Sequence, residues 1–114
     1  MKSGIDLNQI GQSLGLDIAF SMTSLNISGN WLSNTKGLYG LTNLKKLDIS
    51  HNNLTTLSGL QKMPALVEIH VKHNFLRFFH SNLATLGSVA PRLTSLEIMP
   101  NPFQVLQFLM ECID

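Results

Sequence analysis

The chain has 114 residues, a formal net charge of +1 and 13% charged residues, about half the roughly 25% usual in globular proteins. Leu, Ile, Val and Phe together supply a third of it, well above the roughly 20% below which chains tend to stay disordered; one domain with a buried core is therefore expected. The cations are scattered, with no run longer than Lys45-Lys46, which argues against nucleic acid as the main partner, and no apolar run approaches the roughly 18 residues of a membrane span.

The first ten residues carry no apolar leader core. The single cysteine, Cys112, forms no internal disulfide. Both features predict a reducing, intracellular setting, most simply the cytoplasm. The sequons Asn26-Ile27-Ser28 and Asn53-Leu54-Thr55 matter only in the opposite case, a secreted or surface-exposed protein.

Along the chain one frame recurs. It is degenerate at Ile5-x-x-Asn8-x-Ile10, followed by Ser13-x-Gly15-Leu16. It is complete at Met22-x-x-Leu25-x-Ile27-x-x-Asn30-x-Leu32 and at Leu44-x-x-Leu47-x-Ile49-x-x-Asn52-x-Leu54. It returns at Leu66-x-x-Ile69-x-Val71-x-x-Asn74-x-Leu76 and at Leu93-x-x-Leu96-x-Ile98-x-x-Asn101-x-Phe103. The alternating apolar pair in each copy reads as a short strand with one face buried. The asparagine that follows can donate and accept at once, so it suits a sharp turn whose backbone groups would otherwise be buried unpaired. Glycines at 15, 37 and 59 keep the 22-residue period and are assigned to turn geometry. So short a unit has no room for a strand plus a full helix, and its return path is expected to be extended or 3₁₀. The third unit is longer by five residues. Within it, Ser81 to Gly87 predicts one or two helical turns, with Ser81 as N-cap, Gly87 past the end, and Leu83 and Leu86 facing inward. Phe79 should join the core and Phe78 should be more exposed. The tail from Gln104 to Asp114 reads as an amphipathic helix, with Cys112 packed on its apolar face.

This pattern resembles the leucine-rich repeat proteins, in particular the 22-residue class typified by a protein phosphatase 1 regulatory subunit. The resemblance implies an α/β fold: a right-handed leucine-rich repeat solenoid with a parallel concave β-sheet and a mostly 3₁₀ or extended convex side. The expected organisation is a single domain over 1–114. It comprises a degenerate N-terminal unit at 1–21, repeats at 22–43, 44–65, 66–92 and 93–103, and a C-terminal capping helix at 104–114, after the Asn101-Pro102 that often marks the last repeat of this family.

No nucleophile elbow, carboxylate pair or phosphate-cradling loop is present, so an enzyme with a small-molecule substrate is not expected, and no cofactor or metal is called for. The expected activity is non-enzymatic recognition of a protein partner on the concave face, because solenoids present extended concave surfaces. By resemblance this implies an intracellular regulatory or scaffold role of cytoskeletal, ciliary or phosphatase-regulatory type, with a ribonucleoprotein subunit as a further alternative. The central concave column is Asn26, Asp48, His70 and Glu97, flanked by Lys46 and Lys72. Trp31 and Phe75 fall two coils apart near the rim, where aromatic anchors favour interfaces. These eight residues are the candidate partner-binding set. His51 and His73 occupy equivalent turns but lack the further ligands of a closed zinc site, so they read as exposed loop residues. The apolar stretches at Ile5–Leu16 and Val105–Ile113 are expected to support self-association at the ends of the solenoid.

Overall fold

The computed structural model describes residues 20–103. The expectations for the front unit, the tail helix, Cys112 and the apolar ends lie outside the described residues.

Four three-residue strands, β1 (Ser24–Asn26), β2 (Lys46–Asp48), β3 (Glu68–His70) and β4 (Ser95–Glu97), form one parallel sheet in sequence order. The sheet keeps the register of the sequence frame: Leu25 stands beside Leu47, Leu47 beside Ile69 and Ile69 beside Leu96. Each middle residue points into the stack. Burial is complete where coils lie on both sides and incomplete at the edges: Leu47 and Ile69 are fully buried, Leu25 is half-buried, and Leu96 remains 36% exposed. Full burial of such a side chain contributes about 2 kcal/mol, so the central coils hold the outer ones.

The coil-to-coil ladder runs past the strands. Ile27 donates to the Asp48 carbonyl at 2.9 Å, Ile49 to the His70 carbonyl at 2.9 Å and Val71 to the Glu97 carbonyl at 2.7 Å. The asparagine column then takes over. Asn52 is buried; its Oδ1 accepts the N–H groups of Asn30 and Leu32 at 2.9 Å each, and its Nδ2 donates to the carbonyls of Ile27, Ile49 and Ser50. Asn74 accepts from Leu54 N–H and donates to the Ile49 and Val71 carbonyls. Asn101 accepts from the N–H groups of Asn74 and Leu76. One side chain per coil thus satisfies backbone groups of its own coil and of the preceding one.

The returns after β1 and β2 are non-helical and carry isolated i to i+3 hydrogen bonds: Leu38 N–H to the Thr35 carbonyl, Leu60 to Leu57, and Leu66 to Met63. One local expectation needs correction: the bulge of the third unit is a helix of 11 residues, α1 (Phe79–Val89), that starts two residues before Ser81 and runs through Gly87. Phe78 is its N-cap without a side-chain cap bond. Leu86 and Val89 are buried, Leu83 packs partly against the core, and Phe79 is half-buried with its ring edge-on to Phe103 at 5.0 Å. Phe78 is exposed. The repeat-periodic Gly59 lies in the turn closed by the Leu60 N–H to Leu57 carbonyl bond, as its assignment to turn geometry expects, and it also serves close packing. A Cβ on Gly59 would lie 3.0 Å from Thr35 Oγ1 and 3.1 Å from Lys36 Cγ of the preceding coil. The left-handed turn sits one column after the strands, where Gly29, His51 and His73 have φ of 72°, 57° and 58°.

Candidate functional site

On the outer face of the sheet the side chains form two columns in register: Ser24, Lys46, Glu68 and Ser95, and Asn26, Asp48, His70 and Glu97. Alternation along three-residue strands places both columns on the same surface, opposite the buried middle row. The expected central column is therefore assembled as such, with Lys46 beside it on β2 and Lys72 just beyond β3.

Its centre is His70. The Nε2 atom lies 2.5 Å from Glu68 Oε2 on the same strand, and Nδ1 lies 2.6 Å from Glu97 Oε1 on β4. Both ring nitrogens face carboxylate oxygens, which when ionised only accept, so this geometry favours the doubly protonated imidazolium. The bond to Glu68 does most to push the His70 pKa above its ordinary value, with further help from the bond to Glu97 and from the charges of Glu97 and Asp48, against the cost of partial burial. The same bond holds Glu68 below the usual carboxylate range, and the bond to His70 does so for Glu97. Lys46 Nζ reaches Glu68 at 3.6 Å, and Lys72 Nζ reaches Glu97 at 3.4 Å. A five-membered chain of alternating sign, Lys46–Glu68–His70–Glu97–Lys72, thus crosses β2, β3, β4 and the turn after β3. Glu68 was not in the candidate set. The signal was present in the alternation, since a residue two before His70 shares its face. Asn26 lies at the opposite end of the column, where its Oδ1 accepts from the Ser28 N–H and hydroxyl at 3.0 and 2.7 Å.

Trp31 and Phe75 are about half exposed, at 50% and 53%. They stand in equivalent positions of the first and third coils, outside the charged chain. Trp31 has φ of 56°, a left-handed conformation that costs a bulky L-residue roughly 1 kcal/mol. Such strain is tolerated where the surroundings impose it, often at recognition sites. His51 and His73 stack face to face, with ring centroids 4.5 Å apart and planes 15° from parallel. Near-parallel rings aim their in-plane lone pairs along separate planes, so the two nitrogens do not converge on one ion at the roughly 2.0–2.1 Å zinc needs. Among the described residues no three His, Cys, Asp or Glu side chains converge as metal ligands.

Parallel strands at 22- and 27-residue steps, an inward leucine row and a buried asparagine ladder recur in each coil. The family profile of two-copy leucine-rich repeats matches residues 21–62 and again 42–107. The chain is a leucine-rich repeat protein. No curated protein matches it. Leucine-rich repeats are generally protein–protein interaction modules and typically non-enzymatic. In this leucine-rich repeat protein, no helix among the described residues is long and apolar enough to cross a membrane.

Proposed function

We propose that the protein is an intracellular, cytoplasmic adaptor or regulatory module that holds a protein partner on its concave face, in a role of cytoskeletal, ciliary or phosphatase-regulatory kind. The observation that carries this reading is the charged chain centred on His70, bordered by half-exposed Trp31 and Phe75. Groups fixed by mutual hydrogen bonds before the partner arrives lose little rotamer entropy on binding. Aromatic rings at the border supply the apolar area that such a face otherwise lacks.

The ribonucleoprotein reading is less well supported. Lys46 and Lys72 are drawn toward Glu68 and Glu97, so contact with phosphate would first have to break those pairs.

Affinity capture with the wild-type chain and with the Asp48→Ala, His70→Ala, Glu97→Ala triple variant tests the reading. Partners recovered by the wild type should be lost by the variant when circular dichroism shows it folded. Partners retained equally by both would reject the concave face. For Trp31, an alanine substitution should weaken capture; unchanged capture with lowered stability would assign the ring to packing.

A further inference from the structure

One proton decides whether the charges on the sheet face can all be satisfied. The doubly protonated ring of His70 has two N–H donors and gives one to each carboxylate, Nε2–H to Glu68 Oε2 at 2.5 Å and Nδ1–H to Glu97 Oε1 at 2.6 Å. A neutral imidazole has one donor and one bare lone pair. An ionised carboxylate repels that lone pair at such a distance, so one of the two contacts has to open when the proton leaves. Glu68 and Glu97 are both held below the ordinary value of 4.5, and His70 is raised above 6.5, so the carboxylates stay ionised while the ring titrates.

The backbone does not supply the opening. His70 and Glu97 are register partners in adjacent parallel strands, Val71 N–H donates to the Glu97 carbonyl at 2.7 Å, and Ile69 anchors β3 in the core. Relief therefore falls to a side chain. The imidazole is the least free of the three, with its side chain 17% exposed. The Glu68 side chain is 33% exposed, lies on the same strand as the ring, and makes the bond that does most to favour the protonated form. Lys46 reaches Glu68 at 3.6 Å and helps to hold that carboxylate in place. The Glu97 side chain is 48% exposed. It stands on β4, whose residues are all exposed and beyond which no further strand pairs among the described residues. Glu97 also has a cation to move with, because Lys72 Nζ lies 3.4 Å from it. From β2, Asp48 adds a charge that favours the protonated ring, while its own Oδ1 accepts the Ser50 N–H at 3.0 Å.

We infer that loss of the His70 proton opens the Nδ1 contact and releases the Glu97–Lys72 pair from β3, while the Nε2–H bond to Glu68 stays closed. The sheet face then has two states. In the closed state the charged chain runs unbroken from Lys46 to Lys72. In the open state it ends at His70, and Glu97 and Lys72 turn to solvent on a face with one positive charge fewer. The inference stands on strand register and ring contacts, independently of which partner the face holds. Any partner that touches Glu97 or Lys72 favours one state over the other, and so takes up or releases a proton as it binds.

The test is NMR spectroscopy of the full 114-residue chain, without a partner, from about pH 5 to pH 9. Imidazole nitrogen shifts give the His70 midpoint and the tautomer of the neutral ring. Vicinal side-chain couplings of Glu68 and Glu97 report whether each occupies one rotamer or several. Below the His70 midpoint both glutamates should show single-rotamer couplings. Above it the Glu97 couplings should become averaged, with the same midpoint as His70. Glu68 should stay fixed, and the neutral ring should carry its proton on Nε2. In His70→Gln the pH dependence of the Glu97 couplings should be lost, because a carboxamide does not titrate. The wild-type readings decide the matter even where that variant does not fold. Glu97 couplings unchanged across the His70 midpoint, a neutral ring protonated at Nδ1, or release of Glu68 in place of Glu97 would overturn the inference. So would the same Glu97 transition in folded His70→Gln.

Discussion

Asn82 and Leu57 are joined across two coils: the side-chain Oδ1 of Asn82, inside α1, accepts the Leu57 backbone N–H at 2.8 Å. The same carboxamide donates from Nδ2 to the Phe78 carbonyl at 2.7 Å, at the start of its own helix. Asn82 is 2% exposed. It does on the convex side what Asn52 and Asn74 do beside the sheet, so the longer third unit is bonded to its neighbour as well as packed on it.

Replacing Asn82 with alanine leaves a buried N–H and a carbonyl without their side-chain partner. The expected cost is about 2 kcal/mol. Urea denaturation should show a lower midpoint with an unchanged slope. A loss under about 0.5 kcal/mol would show that water or a backbone shift satisfies both groups.

Thr35 stands where the next coil has Leu57. It is 1% exposed, and its hydroxyl has no hydrogen-bond partner among the described residues. Thr35→Val keeps the branched shape and removes the orphaned oxygen, so it should stabilise the protein by about 1 kcal/mol. Thermal denaturation followed by circular dichroism checks the sign; a destabilised variant would mean the hydroxyl has a partner in solution.

Gly87 lies on the exposed side of α1, without a left-handed φ, and a Cβ added there meets nothing within 4 Å. Gly87→Ala should therefore stabilise by about 0.7 kcal/mol through helix propensity and a less flexible unfolded chain. Gly59→Ala is the contrasting case. Its Cβ would press on Thr35 and Lys36, and it should destabilise. Measured side by side, the two should move in opposite directions.

The charged chain makes stability depend on pH in two directions. The folded pKa of His70 is raised above 6.5, so its contribution is complete below the unfolded value and is lost as pH rises through the folded one. Glu68 and Glu97 are lowered from 4.5; their contribution is present above that value and is lost as pH falls through the folded ones. The network thus contributes most between about pH 4.5 and 6.5. The groups facing His70 are Glu68, Glu97 and Asp48. His70→Gln should flatten the alkaline loss of stability relative to the wild type. Denaturation midpoints at pH 6 and pH 8.5 in both proteins decide it, and parallel behaviour would mean that another group governs the change.

Much of the fold was legible because a repeat states each requirement several times. The pair Leu47 and Ile49, the turn, and then Asn52 recur with the same spacing four times over, and spacing is a property of the chain itself. It determined the strand register, the inward row, the asparagine ladder and the concave column of Asn26, Asp48, His70 and Glu97. The left-handed turn was also visible in principle, because Gly29 occupies the column of His51 and His73. What only the tertiary structure decided are interactions between coils whose partners differ from copy to copy. Glu97 reaches His70 because the 27-residue third unit puts its five extra residues into α1 and returns β4 to register. The helix begins at Phe79 rather than at the Ser81 cap, and Asn82 in its first turn bonds Leu57 of the neighbouring coil. Gly59 is small because Thr35 of the preceding coil approaches it. Periodicity describes one coil at a time, whereas ion pairing, orphaned hydroxyls and close contacts depend on which two side chains meet when coils stack, and that is set by three-dimensional packing.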